Sequence, residues 1–306
     1  MKSRATCFTL LAGIAISLFA SLPAQAQQRA RVFVSVNGND ANPCTALSPC
    51  KTFQRAHDAV LAGGEISVLD TGGYGTLTIT KALSIVAVGV EASIAIPSSG
   101  TGIIINASAS DAINLRGLII DGAGLGQTGI ALIAAQSLVI ENCVVRNLTS
   151  SGIALAPTST SNITVSDTVV ADNGGHGIYI QPPGGTISVK AVFSRVQILH
   201  NTLRGIGIFA NNFPFPEIDA IAVDSVSAYN QSGFYATSNK ALLRVFRSTT
   251  FANQWGVEAD SGGTIEVSQS HIGSDIWTVT NVGHVYSYGD NSAGGSPPPS
   301  GGIPKT

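Results

Sequence analysis

The chain has 306 residues, of which 16 are Lys or Arg and 18 are Asp or Glu, so its formal net charge is −2. Charged residues are only 11% of the sequence, which leaves no dense basic face of the kind that nucleic acids require, and nucleic acid is not an expected partner. Beyond the first residues no segment approaches the roughly 20 consecutive apolar residues of a bilayer span, so no membrane span is expected.

The first residues have the pattern of a secretory signal peptide. Lys2 and Arg4 precede an apolar run over residues 8–22, and a small-x-small cleavage site follows that ends at Ala26. The run of roughly 15 residues is short for a bilayer span of about 20. Residues 1–26 are therefore predicted to be a cleaved signal, and the mature protein to be secreted or periplasmic.

Residues 27–64 form a predicted N-terminal unit with a strand, a cysteine loop and a capping helix. Cys44 and Cys50 lie in a loop bounded by prolines, and an oxidising compartment favours a disulfide between them. Apolar residues at helical spacing after Thr52 predict a helix over residues 52–62 that ends at a glycine pair. A stack of coils has open ends, so this helix is expected to cap the N-terminal end.

A repeat with a period of 23 to 28 residues fills the middle of the chain. Each copy begins with a glycine that is followed by alternating apolar residues: Gly102, Gly129, Gly152, Gly177, Gly205, Gly233 and Gly256. Self-similarity at this period is typical of a solenoid, in which each unit buries its apolar side against its neighbours. Residues 65–285 are therefore predicted to be a stack of coils, and residues 286–306 to be a disordered tail by composition.

Each coil contains three short apolar segments, which predict three parallel strands per turn and a rise of about 4.8 Å per coil. In this arrangement Ile130, Ile153 and Ile178 occupy one column. Asparagines recur shortly before the next glycine, where an amide fits a left-handed corner and bonds the backbone. This column is interpreted as structural, and it contains Asn147, Asn173, Asn201, Asn230 and Asn253.

Two kinds of segment resemble the right-handed parallel β-helix repeats of the pectate-lyase-like superfamily. Residues 33–40 with residues 49–56 are similar to the N-terminal entry and cap of many secreted bacterial members, and phrases such as residues 140–147 are similar to their repeats. The resemblance covers roughly residues 31–285. It implies an all-β fold, a single-stranded right-handed parallel β-helix (solenoid) with an N-terminal capping helix. That superfamily includes lyases, hydrolases, epimerases and phage tailspikes, so the fold does not choose a reaction.

The sequence meets neither of two templates for enzymes that act on polysaccharides. A pectate lyase would need carboxylates for calcium and a basic residue, and the Trp-x-Asp-His and Arg-x-Pro-x-x-Arg segments that would mark it are absent from the sequence. A hydrolase needs two carboxylates about 5 to 9.5 Å apart, and no two stack at one aligned position in neighbouring coils. No His and Cys spacing indicates zinc, and no metal or other cofactor is expected.

Titratable residues concentrate near one predicted corner. His176 and Arg204 each precede a coil glycine, and Asp172 and His200 lie four or five residues before the same glycines. The four side chains are therefore expected together, in two neighbouring coils. In a catalytic interpretation, Arg204 neutralises an acidic substrate group, a histidine acts as general base, and Asp172 orients it. The alternative is a solvated turn cluster with a structural role.

Three tyrosines are the candidate substrate-binding residues. Tyr179 and Tyr235 occupy the same outward position, two residues after their glycines, with Gly207 between them, and Tyr229 lies at a nearby corner. A sugar ring can lie on an aromatic face, and Gly207 would leave a gap about one coil wide. The alternative is that the rings cover the outside of a sheet beneath the loop at residues 211–216.

Other residues are interpreted as structural. Stacking places Arg116 beside Glu141 and Asp121 beside Arg146, and such exposed ion pairs favour the correct register while contributing at most about 1 kcal/mol each. Cys143 is left over by the predicted disulfide, and its setting at a strand corner predicts a buried thiol that behaves as a small apolar residue.

Two functional hypotheses stay open. In the first, the chain is an extracytoplasmic protein that binds a polysaccharide or a cell-surface glycan along one face, with lyase- or hydrolase-type processing undecided. In the second, it is a non-catalytic surface protein, an adhesin-like protein or a structural spacer. A groove lined by titratable and aromatic side chains favours the first, whereas faces of Ser, Thr, Ala and Val throughout favour the second.

Overall fold

The computed structural model describes residues 29–294, apart from residues 211, 213, 274 and 275. The predicted signal at residues 1–26 and the end of the predicted tail, residues 295–306, lie outside the described residues. The described chain is an all-β parallel solenoid with a single helix, as predicted. Within that part of the chain, no helix has the length and apolar character that crossing a membrane requires.

Three parallel sheets run along the solenoid. Sheet 1 has nine strands and contains the glycine phrases: Leu77–Ile79, Thr101–Asn106, Thr128–Ala134, Ile153–Leu155, Ile178–Ile180, Arg204–Phe209, Ser232–Thr237, Trp255–Asp260 and Ile276–Thr280. Sheet 2 has eleven: Arg29–Val34, Val60–Val68, Leu83–Val86, Ala112–Arg116, Ser137–Glu141, Ser161–Ser166, Ser188–Ser194, Glu217–Val223, Ala241–Phe246, Thr264–Ser268 and His284–Ser287. Sheet 3 has ten: Gly72–Gly73, Ala92–Ala95, Leu118–Asp121, Val144–Arg146, Val169–Ala171, Gln197–Leu199, Val226–Ala228, Thr249–Phe251, His271–Ile272 and Ser292–Ala293.

The interior of the solenoid is built from columns of aliphatic side chains. Ile130 pairs with Ile153 and Ile153 with Ile178 in register, and all three are fully buried, which confirms the predicted column. A slip of one residue would turn every such side chain outward, because successive residues of a strand face opposite sides. Burial of these columns therefore fixes which side chains form the outer faces.

The helix covers Phe53–Ala59, so it is shorter than the predicted 52–62. Thr52 is its N-cap, and the Thr52 hydroxyl accepts a hydrogen bond from the Arg55 amide at 3.2 Å. The helix ends early because the next residue is extended and begins the sheet 2 strand Val60–Val68, which continues through the glycine pair.

The cysteine loop covers the outer edge of the first strand of sheet 2. The disulfide between Cys44 and Cys50 is present, as predicted. The Phe33 amide donates to the Cys44 carbonyl at 2.9 Å, and the Cys50 amide donates to the Phe33 carbonyl at 3.0 Å. These bonds satisfy backbone groups that would otherwise offer a template for pairing with another chain.

Four members of the predicted asparagine column form a buried ladder and do not have left-handed backbone, whereas Asn147 lies one position before the ladder, where Leu148 stands. Each amide nitrogen of Asn173, Asn201 and Asn230 donates to the amide oxygen of the asparagine in the next coil, at 2.8, 3.0 and 3.2 Å. The left-handed backbone lies one position earlier, at Asn147, Asp172, His200, Tyr229 and Ala252. The four buried asparagines themselves are not among the residues with positive φ, and their side chains point inward, where they bond one another.

A second ladder lies at the corner between sheets 2 and 3. The Thr168 hydroxyl accepts a hydrogen bond from the Cys143 amide at 3.3 Å, and the Ser225 hydroxyl accepts one from the Val196 amide at 3.1 Å. Cys143 occupies the same place in its own coil, and its sulfur donates to the Glu141 carbonyl at 3.3 Å. The predicted buried free thiol is therefore confirmed, and it also takes the role of a hydroxyl.

Ion pairs join equivalent positions of successive coils at the exposed corners. Nε of Arg146 lies 3.0 Å from a carboxylate oxygen of Asp121, and Nε of Arg116 lies 3.8 Å from Glu141, which confirms both predicted pairs. At its C-terminal end the stack continues past residue 285, because Ser292–Ala293 adds a last strand to sheet 3.

Candidate functional site

The four predicted titratable residues lie in two separate pairs. Asp172 and His200 occupy left-handed corner positions, where Nδ1 of His200 lies 3.8 Å from Asp172 Oδ1 and both side chains are 56% exposed. The His200 ring stacks on the ring of Tyr229, with centroids 4.6 Å apart and planes 8° apart. Among the described residues, no hydrogen bond or ion pair joins this corner to His176 or Arg204.

His176 lies on the outer face of sheet 1 among aromatic rings. Its ring centroid is 5.4 Å from that of Tyr179 and 5.3 Å from that of Phe209. Burial, followed by the nearby charge of Arg204, lowers the pKa of His176 from 6.5 to about 4. The ring is therefore neutral near neutral pH, and its Nδ1 is buried with no hydrogen-bond partner among the described residues.

Arg204 occupies the equivalent position in the next coil, and its guanidinium group contacts an aromatic ring and lies near a carboxylate. Its guanidinium carbon lies 4.5 Å from the ring centroid of Tyr235, and its Nε lies 3.9 Å from Glu258 Oε2. The Ser232 hydroxyl donates to the same Glu258 carboxylate. A cation over an aromatic face and beside a carboxylate is stabilised at both contacts.

Glu258 was not singled out by the sequence, although a signal for it is present. It lies two residues after Gly256, and the strand register places it beside Tyr235 in one outward column of sheet 1. The predicted column of Tyr179, Gly207 and Tyr235 is confirmed by the same register. The Glu258 carboxylate stands in the same column, one coil after Tyr235, so the spacing from the coil glycine predicts its position.

The predicted gap at Gly207 does not exist, because Phe209 fills it. A Cβ atom at Gly207 would lie only 2.7 Å from the Phe209 ring, so this ring rests directly on the glycine. The ring centroid of Phe209 is 5.1 Å from that of Tyr235 and 6.4 Å from that of Tyr179. Tyr235 is only 6% exposed, so its ring is buried in this cluster and is not presented to solvent.

A cleft of about 610 Å³ lies beside this aromatic cluster, at the turns that connect sheet 1 to sheet 2. The rings of Phe209, Phe215 and Tyr235 line it together with Asp260, and the turn residues Ser238, Asn239 and Ser261 complete its polar side. Phe215 is 48% exposed and so presents its ring to solvent.

Asp260 is a fixed acceptor in this cleft. Burial acts to raise its pKa, but hydrogen bonds from side chains outweigh that effect and hold the pKa below its usual value. Thr280 and Asn281 donate to its Oδ1 at 2.8 and 2.9 Å, and the Tyr235 hydroxyl donates to its Oδ2 at 3.3 Å. The carboxylate is thus ionised and held in one position at neutral pH.

The outer face of sheet 2 carries a charged strip that sequence reasoning did not identify. Arg244 bridges the neighbouring coils, because its Nη1 donates to Asp219 at 2.5 Å and its Nε lies 3.3 Å from Glu266. Three further clefts, of about 310, 360 and 240 Å³, lie along this strip. In the described part of the chain no group of three or more His, Cys, Asp or Glu side chains could hold a metal ion.

A family model described as a right handed beta helix region matches residues 101–272, which is more than half of the chain. No curated protein matches.

Solved structures share the fold at low sequence identity. A pectate lyase, Pel9A, is similar with a TM-score of 0.64 and 16% identity, over 90% of this chain and 80% of that one. An alginate lyase from Paenibacillus sp. str. FPU-7 is similar with a TM-score of 0.61 and 14% identity, over 90% and 97% of the two chains. A rhamnogalacturonan lyase is similar with a TM-score of 0.52 and 14% identity, over 84% and 75%. At these identities the likeness shows the fold alone.

Proposed function

The chain belongs to the right handed beta helix region family, and from that premise we propose that it is an extracytoplasmic polysaccharide-binding protein whose ligand lies in the cleft beside Tyr235. One observation carries the proposal: the cleft places the exposed ring of Phe215 beside the fixed carboxylate of Asp260 and the polar turn residues. A sugar has apolar ring faces and a rim of hydroxyls, so it needs both kinds of contact at once.

The size and position of the cleft support this proposal. Its volume of about 610 Å³ falls within the roughly 300 to 1,000 Å³ of small-ligand sites. It lies at the turns between two sheets, and turns on one side of a solenoid are where binding surfaces are usually built. The solved structures with similar folds are named as lyases of pectate, rhamnogalacturonan and alginate, and these names support a polysaccharide as the class of ligand.

We propose binding rather than cleavage at this cleft. Of the described residues that line it, Asp260 alone carries a carboxylate, and none is Lys, Arg or His. Hydrolysis uses two carboxylates about 5 to 9.5 Å apart. Asp260 is also held by several donors. The predicted catalytic set of Asp172, His176, His200 and Arg204 is divided between an exposed corner and a ring-covered cluster.

Export is part of the proposal. The Cys44–Cys50 disulfide suits an oxidising compartment, and residues 1–26 have the pattern of a signal. The mature protein is then secreted or periplasmic, where polysaccharides are available as ligands. The N-terminal sequence of the exported protein tests this part, and a mature chain that still contains residues 1–26 would contradict it.

The binding proposal is tested with immobilised and soluble polysaccharides and the variant Phe215→Ala. Removing an exposed ring that stacks on a sugar should weaken binding by about tenfold, which corresponds to about 1.4 kcal/mol. Phe251→Ala is the matched control, because Phe251 is also 48% exposed but lies in sheet 3, away from the cleft. If no polysaccharide binds, or if both variants weaken binding equally, the cleft is not the site and a structural spacer becomes the better interpretation.

A further inference from the structure

We infer that the cleft is one end of a longer groove that continues onto the outer face of sheet 2, and that the groove binds a neutral glycan chain rather than a polyuronate. This inference rests on the proposed function and names its ligand class.

The four clefts are neighbours that share lining residues. Asn239 lines both the cleft beside Tyr235 and the cleft of about 360 Å³ on sheet 2. That second cleft shares Asp219 with the cleft of about 310 Å³ and Glu266 with the cleft of about 240 Å³, and Arg244 lines both of these. The four clefts therefore adjoin one another, with Asn239 at the corner between the first two and Arg244 shared by the last two.

The row of adjoining clefts is long enough for several sugar rings. Lys190 pairs with Asp219 and Arg244 pairs with Glu266 on four neighbouring strands, and Arg244 lies two residues further along its strand than the partner of Asp219, so the four side chains follow an oblique line across the coils. Three steps between strands of about 4.8 Å each span about 14 Å, and the cleft beside Tyr235 adds to this length. A chain that crosses the coils would meet a new set of side chains at every step.

Apolar side chains accompany the charges along this line. Val192 is 39% exposed and lies beside Lys190, while Ile221 lines two of the sheet 2 clefts and Tyr288 lies at the far end. Alternation of polar and apolar contacts is what a polymer with hydroxyl rims and apolar ring faces requires.

The charges of the groove argue for a neutral ligand. Its sheet 2 part contains three cations and three carboxylates, and the Arg244 charge is shared between two of those carboxylates. The cleft beside Tyr235 adds the ionised Asp260 with no cation in its lining. A polyuronate carries one charge per ring and would meet a slightly negative surface, whereas a neutral chain meets donors and acceptors in balance.

The test uses the mature protein with cello- and manno-oligosaccharides, and with oligogalacturonides of the same lengths, in titration calorimetry at low and at physiological salt. At least one neutral series should bind more tightly as the chain lengthens, from disaccharide to hexasaccharide. The oligogalacturonides should bind more weakly than that series at both salt concentrations. Tighter binding of oligogalacturonides at low salt would overturn the ligand class.

Arg244→Gln separates the groove from the cleft. The variant should weaken binding of the long neutral oligosaccharide at least about threefold and leave the disaccharide unchanged. Arg247→Gln is the matched control, because Arg247 is an exposed arginine of the same coil that pairs with Asp224 at a corner outside the clefts.

Failure of this inference is distinguishable from failure of the proposed function. If Phe215→Ala weakens disaccharide binding while affinity is independent of chain length and of Arg244, the cleft alone binds the glycan and the groove is wrong. If neither the neutral nor the acidic series binds the wild-type protein, both the groove and the proposed function are wrong.

Discussion

At the residue scale, Cys143 makes the hydrogen bond of its repeat position although it lacks the hydroxyl that other coils have there. Its thiol stands where other coils have a hydroxyl, and it donates to the carbonyl two residues earlier, as Thr168 does. We predict that Cys143→Ser changes the free energy of unfolding by less than about 1 kcal/mol, because the same bond can form. Cys143→Leu should cost about 1 to 3 kcal/mol, since the site has no room for extra carbons. Urea denaturation measures both, and equal losses would contradict the ladder role.

We predict that His176 makes the stability of the fold depend on pH. Its folded pKa of about 4 lies below the value of 6.5 that it has when unfolded, so the unfolded chain binds the proton more readily. By linkage, the stability that the neutral ring contributes is fully present above about pH 6.5 and is lost as the pH falls towards about pH 4. We expect the wild type to lose up to about 3 kcal/mol across this window relative to His176→Gln.

Thermal or urea unfolding of both proteins at several pH values measures this difference. His271→Gln is the control, since His271 is exposed and lies in sheet 3. A stability difference between wild type and His176→Gln that stays constant from about pH 7 to about pH 4 would contradict the buried neutral ring.

The outward column of sheet 1 marks the limit of what residue patterns predict. The alternation of apolar residues after each glycine placed Tyr179 and Tyr235 in one column, and the register confirms it. The Phe209 ring that fills the space over Gly207 could not be found in this way. A pattern of period two gives the face on which a side chain lies, but the direction in which a ring leans depends on the space that its neighbours leave.

At the scale of elements, the asparagine ladder stabilises the corner between sheets 3 and 1. Asn201 donates to Asn230 and accepts from Asn173, and it also donates to the backbone carbonyl of Leu199 at 3.1 Å. We predict that Asn201→Ala lowers the free energy of unfolding by about 3 kcal/mol, because buried amides in two neighbouring coils lose partners. Asn162→Ala, on the exposed side of sheet 2, should have little effect. If Asn201→Ala and Asn162→Ala lower the free energy of unfolding equally in urea denaturation, the ladder does not stabilise this corner.

The end of the N-terminal helix could not be read from local signals. A glycine pair after an apolar helical pattern usually ends a helix, and it predicted the end near residue 62. In the structure the strand Val60–Val68 pairs with both Arg29–Val34 and Leu83–Val86, so contacts far apart in the sequence convert the last helical turn into strand. Long-range pairing of this kind overrides local preference because it buries two strand edges at once.

At the scale of the whole molecule, the solenoid consists of units that contact only their neighbours, and most of its architecture follows from the repeat. The three sheets, their parallel pairing and the buried columns all derive from apolar residues at equivalent places in each coil. The row of adjoining clefts was not predicted, because it is built from turns and outward positions that differ between coils. Repetition specifies the inside of such a molecule, whereas its ligand surface depends on where the repetition is broken.

This independence of coils predicts that one coil can be removed without loss of the fold. Deletion of residues 152–176, which form one repeat, would stack Ile178 directly on Ile130 in sheet 1, since both pair in register with Ile153. The Leu148 amide, which now donates to Asn173 Oδ1, would meet Asn201 at the same ladder position. The deleted coil lies outside the residues that line the cleft beside Tyr235.

We therefore expect the protein without residues 152–176 to keep a strand-rich circular dichroism spectrum, to unfold in one cooperative step at a lower temperature, and to bind the same disaccharide. Deletion of half a coil, residues 152–163, is the control, because it removes the sheet 1 strand Ile153–Leu155 and half of the sheet 2 strand Ser161–Ser166, and so puts later strands out of step with the sheets. If the full-coil deletion fails to fold, or if both deletions behave alike, the coils are not independent units, and stability must depend on contacts that reach beyond the neighbouring coil.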